Sequence, residues 1–230
     1  GLLKGWTERG DRPIFTAVSG VSTGALTAPF AFLGSDYDSL LERMYTTMTE
    51  SRVYEFKWLG DILGSDSVSS PAPLQRAIEE VVTLELLDAV AKEYAKGRFL
   101  FIQTTNLDAQ RPVVWDMGLI ATIGGEKALA LFRQVMLASA SIPVMFPPQY
   151  ISVRVGDETY DEMHLDGGTT SPFVLYGSLL HPSFIKDKLM ETHNIDSMVL
   201  PTTKVYVVMN NRLSVEYDRV PPAMGDIATR

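Results

Sequence analysis

Ile14-Phe15-Thr16-Ala17-Val18-Ser19-Gly20-Val21-Ser22-Thr23-Gly24-Ala25 is the stretch on which the fold turns. Ile14 to Val18 is β-branched and aromatic and reads as a short buried strand. Ser19 to Gly24 is a run of small residues, and Ala25 to Leu33 reads as a helix in spite of Pro29. Strand, tight turn and helix are the context in which Gly20-Val21-Ser22-Thr23-Gly24, a G-x-S-x-G pattern, carries chemistry. A serine on such a turn occupies a strained backbone conformation, and its Oγ projects above the sheet. The flanking glycines let neighbouring chain segments pass close by. The helix that begins there aims backbone N–H groups, that of Thr23 first, at any developing oxyanion. The same small residues also describe an ordinary βα turn, so Ser22 alone leaves both readings open.

Elements on either side repeat the alternation. Leu2 to Glu8 suits one helical face, closed by Gly10 with Pro13 beyond. Asp38 to Thr49 and Leu74 to Lys96 read as amphipathic helices, with Gly97 ending the second. Between them, residues 51–73 are irregular and read as a surface loop or flap carrying Phe56 and Trp58. Arg98 to Thr105 reads as a strand of the buried type and Pro112 to Asp116 as another. Glu126 to Ala140 is a helix broken by Ile142-Pro143. Tyr150 to Val155 and Thr159 to Leu165 form a hairpin around Gly156-Asp157, and Lys204 to Met209 is a further apolar strand. Residues 186–201 read as a surface helix and loop. Strands alternating with helices predict a three-layer α/β/α domain around a largely parallel sheet, spanning 1–230 as a single domain.

Composition narrows the chemistry. The 230 residues are 46% hydrophobic and 21% charged, as expected of a globular chain. Twenty Lys and Arg against 28 Asp and Glu leave a net charge of −8, which argues against broad nucleic-acid binding because no excess of cations exists to displace counterions. There is no cysteine, which removes disulfides, thiolate nucleophiles and thiolate metal sites together. No nucleotide-binding glycine loop is present, so no cofactor is expected. Asp157, Glu158, Asp161 and Glu162 gather near His164, but their spacing fits no defined coordination loop, and they read as a solvated hairpin with no metal. No apolar run reaches the ~18–20 residues of a membrane span. Localisation and oligomeric state stay open.

A hydroxyl nucleophile needs a proton acceptor. The histidines are His164, His181 and His193. His181 and His193 stand in polar, loop-like surroundings and read as surface residues. His164, two residues before Asp166 and on the same strand face, stands either as a base or as a packing group. Asp166-Gly167-Gly168 is more informative. An aspartate ending a strand before two glycines sits where backbone approaches closely, although Asp-Gly is also a common turn.

Ser22 in G-x-S-x-G and Asp166 in D-G-G, in that order, resemble the patatin-like phospholipase family. Ala138-Ser139-Ala140-Ser141-Ile142-Pro143-Val144-Met145-Phe146-Pro147-Pro148 is similar to a segment that the family carries between its two motifs. Thr104 to Asp108 and Val113 to Asp116 are like its central strands. The resemblance runs from Gly1 to about Pro172. It implies the patatin-like α/β/α fold and a Ser–Asp dyad with Ser22 as nucleophile and Asp166 as base. Gly20, Thr23 and Gly24 then form the nucleophile elbow, and Gly167 and Gly168 the D-G-G turn. The implied partners are a phospholipid or other acyl-ester substrate and transient contact with a membrane or micelle surface. Met145, Phe146, Pro147 and Pro148 are candidates for an acyl-chain wall, with core packing the plainer reading.

The family also carries a glycine-rich oxyanion loop upstream of its first helix. Gly1–Ser19 holds no such run, and Pro221 to Asp226 reads as a loop. The chain is therefore expected to start just downstream of that loop and to continue past its last residue. The alternative is a catalytically silent patatin-like fragment or pseudoenzyme that binds lipid or protein. A rival α/β-hydrolase esterase would need His181 or His193 after its acid, and neither has a supporting motif.

Overall fold

A computed structural model describes residues 1–47, 55–56, 69–171, 174 and 204–209. Its contacts group the chain into two units, Gly1–Val174 and Leu175–Arg230. In the second unit, residues 204–209 lie in neither helix nor strand, so the apolar strand expected there is not formed. Val205 to Val208 are exposed.

In the first unit, a mixed sheet is flanked by helices. Helix α1 (Leu2–Arg9) closes on Gly10 at φ 85°. Strand β1 covers Ala17–Val21, three residues later than hydrophobicity predicts. Ile14 is 83% exposed, and Phe15 sets its ring edge-on to Trp6. Pairing with the next strand fixes the true start: Phe99 N–H donates to Thr16 O and the ladder opens at Ala17.

Helix α2 (Thr23–Leu33) follows, with Ala25, Leu26, Ala28, Pro29, Phe30 and Phe32 buried. Its C-terminal carbonyls are taken by two arginines. Arg12 Nη2 donates to Phe30 O and Ala31 O, and Arg98 Nη2 to Phe32 O at 2.5 Å. Cations at that end satisfy orphan acceptors and complement the helix dipole, which steadies the helix whose other end carries Ser22. Helix α3 spans Asp38–Thr47. Of the irregular stretch at 51–73, the described residues show strands β2 (Glu55–Phe56) and β3 (Ser69–Ser70) paired antiparallel. Trp58 lies outside the described residues.

The helix expected over Leu74–Lys96 is two: α4 (Ala72–Val81) and α5 (Leu84–Tyr94). Thr83 makes the break, because its hydroxyl accepts from Leu86 N–H and caps a new helix. Arg133 then takes up the freed carbonyls of Glu79 and Val82. The apolar period runs through the break because Val82 is buried as well.

Strand β4 (Phe99–Asn106) is the axis of the sheet, and β5 (Arg111–Asp116) pairs antiparallel along one of its edges. A helix without a sequence signal, α6 (Met117–Ile123), starts from Asp116, whose Oδ1 accepts from Leu119 N–H. Helix α7 (Gly125–Ser139) leads to the Ile142-Pro143 turn, and β6 (Gln149–Val155) and β7 (Glu158–Asp166) make the expected hairpin.

The other edge of β4 is shared. β1 runs parallel to it from Ala17↔Phe99 to Val21↔Gln103. β7 runs antiparallel to it, from Asn106↔His164 to Thr104↔Asp166. Since β5 covers the opposite edge over the same residues, β1 and β7 meet end to end along one edge. Their C-terminal ends arrive at adjacent positions of β4, Gln103 and Thr104. This junction brings residue 22 and residue 166 together across 144 positions of sequence.

Candidate active site

Strand β4 is apolar at Leu100 and Ile102 and then turns polar, yet Gln103, Thr104, Thr105 and Asn106 are all buried. Buried polar groups are costly unless paired, and these are. Gln103 Nε2 donates to Gly167 O and Ser171 O. Thr104 Oγ1 accepts from Trp115 Nε1. Thr105 Oγ1 donates to Asp166 O at 2.9 Å. Asn106 Oδ1 accepts from Ala109 N–H. The strand end is a polar frame built around the junction.

At the end of β1 the chain turns sharply. Ser22 has φ 57° and ψ −127°, a conformation that costs a non-glycine residue about 1–3 kcal/mol and persists only where neighbours enforce it. Ala25 N–H donates to Ser22 O, and Ser22 N–H donates to Ser139 Oγ at 3.0 Å. Thr23 is the first residue of α2, and helix geometry leaves its N–H without an intrahelical partner.

The two glycines of the pattern differ. A Cβ on Gly20 would lie 2.4 Å from Gly24 O and 2.8 Å from Ala25 Cα, so the elbow closes only around glycine. A Cβ on Gly24 meets nothing within 4 Å, so close packing does not explain this glycine. Gly20→Ala is expected to cost about 1–3 kcal/mol through overlap with backbone. Gly24→Ala is expected to hold or raise stability by about 0.5–1 kcal/mol through lost chain entropy. Thermal unfolding of the two variants checks the contrast.

Ser22 Oγ donates to Asp166 Oδ2 at 2.5 Å. Asp166 is only 5% exposed, and its Oδ1 accepts from Gly168 N–H at 2.7 Å. Its backbone is fixed on both sides, N–H to Ser141 O and carbonyl to Thr105 Oγ1. Gly167 is obligatory: a Cβ there would stand 2.4 Å from Gln103 O and 2.9 Å from Val21 Cγ1. A Cβ on Gly168 would reach 3.0 Å from Asp166 Oδ1. Burial raises the Asp166 carboxyl above its ordinary value, and the hydrogen bonds from Ser22 and Gly168 pull only part of the way back. A raised carboxylate is the stronger base.

His164 is fully buried. Nδ1 faces Thr104 Oγ1 at 2.9 Å, Nε2 faces Glu162 Oε2 at 3.3 Å, and the ring stands edge-on to Trp115. Burial lowers its pKa despite Glu162. Thr104 and Glu162 occupy both ring nitrogens, and the proton of Ser22 Oγ points at Asp166. These contacts favour the packing reading of His164. His181 and His193 lie outside the described residues, as does residue 172, near which the resemblance ends. Among the described residues no cluster of His, Asp or Glu is placed to hold a metal ion. Phe146 is buried, while Met145, Pro147 and Pro148 are half-buried.

Ser139, Ser141 and Gln103 carry no role in the sequence reading, though each touches the site. The available signal was polar: Gln-Thr-Thr-Asn closing an otherwise apolar strand conflicts with burial unless something organises it.

A search of curated proteins returns no match to this chain. The model of one family, described as patatin-like phospholipase, matches residues 1–176. That span is well over half of the 230 residues and contains the elbow, the polar frame and the D-G-G turn. The chain belongs to the patatin-like phospholipase family, a family of lipid acyl hydrolases.

Proposed function

We propose that the chain is a serine carboxylic-ester hydrolase of phospholipase A, lysophospholipase or esterase type, working through a Ser22–Asp166 dyad and an acyl-enzyme. The hydrogen bond of 2.5 Å from Ser22 Oγ to the buried Asp166 carboxylate carries this reading. Ser22 Oγ attacks the ester carbonyl carbon while Asp166 Oδ2 takes the hydroxyl proton. The negative charge gathers on the carbonyl oxygen, near the α2 N-terminus and the N–H of Thr23. The carbon–oxygen bond to the alcohol breaks, and the alcohol leaves with the proton from Asp166. Water then adds to the acyl-serine, giving a proton to Asp166. The acid departs, and Ser22 regains its hydroxyl proton.

The substrate stands at a lipid surface, so contact with membrane or micelle is transient. Hydrolysis of a p-nitrophenyl acyl ester and of phosphatidylcholine vesicles tests the reading, with His164→Ala beside the dyad variants. His164→Ala is expected to lose about 2–4 kcal/mol of stability, because it empties a buried site and leaves the hydroxyl proton of buried Thr104 without its acceptor. Its rate per folded molecule is expected to stay within about tenfold of the parent, well short of a lost general base. A loss as deep as that of Ser22→Ala restores a histidine mechanism and removes this one.

A further inference from the structure

Ser22 leaves the sheet at the point where its N–H would continue the β1–β4 ladder beyond Val21↔Gln103. The hydroxyl of Ser139 is spliced into that place. Ser139 Oγ accepts from Ser22 N–H at 3.0 Å and donates to Gln103 O at 2.7 Å. One hydroxyl can do both at once; a methyl group can do neither. Ser139 is fully buried, so bulk water does not stand in for it. Two residues on, Ser141 O accepts from Asp166 N–H at 2.9 Å. The tripeptide Ser139-Ala140-Ser141, at the end of α7, thus grips the nucleophile on one side and the base on the other. Gln103 braces it, with its carbonyl under Ser139 and its side-chain amide on Gly167 O.

We propose that Ser139, braced by Gln103, is a positioning residue that sets the approach of Ser22 to Asp166; the proposal rests on the dyad reading above. Ser139 does not touch the reacting atoms. It holds the elbow at positive φ so that Oγ lies 2.5 Å from the carboxylate.

Any relaxation of the elbow loosens that hydrogen bond, and the bond is one of the two that hold the Asp166 carboxyl down against the effect of burial. Among the described residues no charged side chain stands among the influences on Asp166; the acid Glu162, on the same strand, pairs with His164. Loss of Ser139 therefore moves the ionisation of the base upward as well as slowing attack.

The test is the rate at which a fluorophosphonate ester labels the protein, followed against pH. S139A is expected to react roughly tenfold to a hundredfold more slowly, the scale of a misplaced reacting group, and its acid limb is expected to move to higher pH. L87A, a cavity variant at a fully buried site in α5, controls for lost stability and is expected to keep the parent's acid limb. If S139A does not fold, S139C, which keeps a weaker donor and acceptor, is expected to show the same two changes to a smaller degree. A parent-like rate and acid limb in the folded variant overturns the proposal. So does a slowing that follows thermal stability as in L87A with the limb unmoved. Failure of the dyad reading shows separately, as labelling that survives S22A, and it takes the Ser139 role with it.

Discussion

Ser22→Ala is expected to abolish hydrolysis of acyl esters, with a fall in kcat of roughly 10⁴–10⁶-fold and a loss of stability of no more than about 1–3 kcal/mol at neutral pH. The size follows from covalent catalysis, since removing a nucleophile removes the path and not just one contribution to it. The stability follows from geometry. Ser22 sits at φ 57°, a conformation no easier for alanine, so the strain is unchanged. The lost hydroxyl contact is that to Asp166 Oδ2; Asp166 keeps its hydrogen bond from Gly168 N–H on Oδ1, and the buried Oδ2 left without its donor accounts for the loss. Steady-state rates with a p-nitrophenyl ester, set beside unfolding midpoints, check both halves. Retention of most activity would mean that another residue attacks.

Asp166→Asn separates chemistry from stability still more sharply. The variant is expected to lose about 10²–10⁴-fold in rate, the contribution of a general base, while becoming as stable as the parent or more so at neutral pH. The sign comes from burial. The Asp166 carboxyl titrates above its ordinary 3.8 in the folded protein. A group raised on folding contributes stability that is fully present below its unfolded pKa and is lost as pH rises through its folded pKa. Above that window the native state holds a buried anion. Asparagine keeps the shape, cannot ionise, and still accepts from Gly168 N–H through its oxygen. The stability gain of the variant is expected to grow as pH rises through the folded pKa and to vanish below the unfolded one. The parent's activity runs the opposite way, falling on the acid side as the base protonates, at a higher pH than an ordinary carboxylate would set. A variant less stable than the parent at neutral pH, and equal to it in acid, would contradict the account of burial.

Ser22 and Asp166 were legible because each sits in a pattern whose glycines do geometric work at short range. Gly20 and Gly167 are where a Cβ would meet backbone. The hairpin and the α7 break were legible from turn residues. The start of β1 was not, because Ile14 and Phe15 supply hydrophobicity while the ladder with β4 decides where pairing begins. The split at Thr83 was hidden by an apolar period that continues through Val82. The meeting of two ladders on one edge of β4 was beyond reach too. The parallel β1–β4 ladder and the antiparallel β7–β4 ladder meet on one edge, and that long-range fact, not any local motif, brings Ser22 and Asp166 together. Ser139 escaped for the same reason: its partner Ser22 lies 117 residues away and offers a backbone N–H, which every sequence has.

The most direct test of the Ser22–Asp166 pair is the mass of the intact protein after reaction with a fluorophosphonate, followed by peptide mapping. The dyad predicts a single adduct on Ser22, absent in Ser22→Ala and formed far more slowly in Asp166→Asn. An adduct on another residue, or none on a folded protein that carries the silent fold alone, would contradict it.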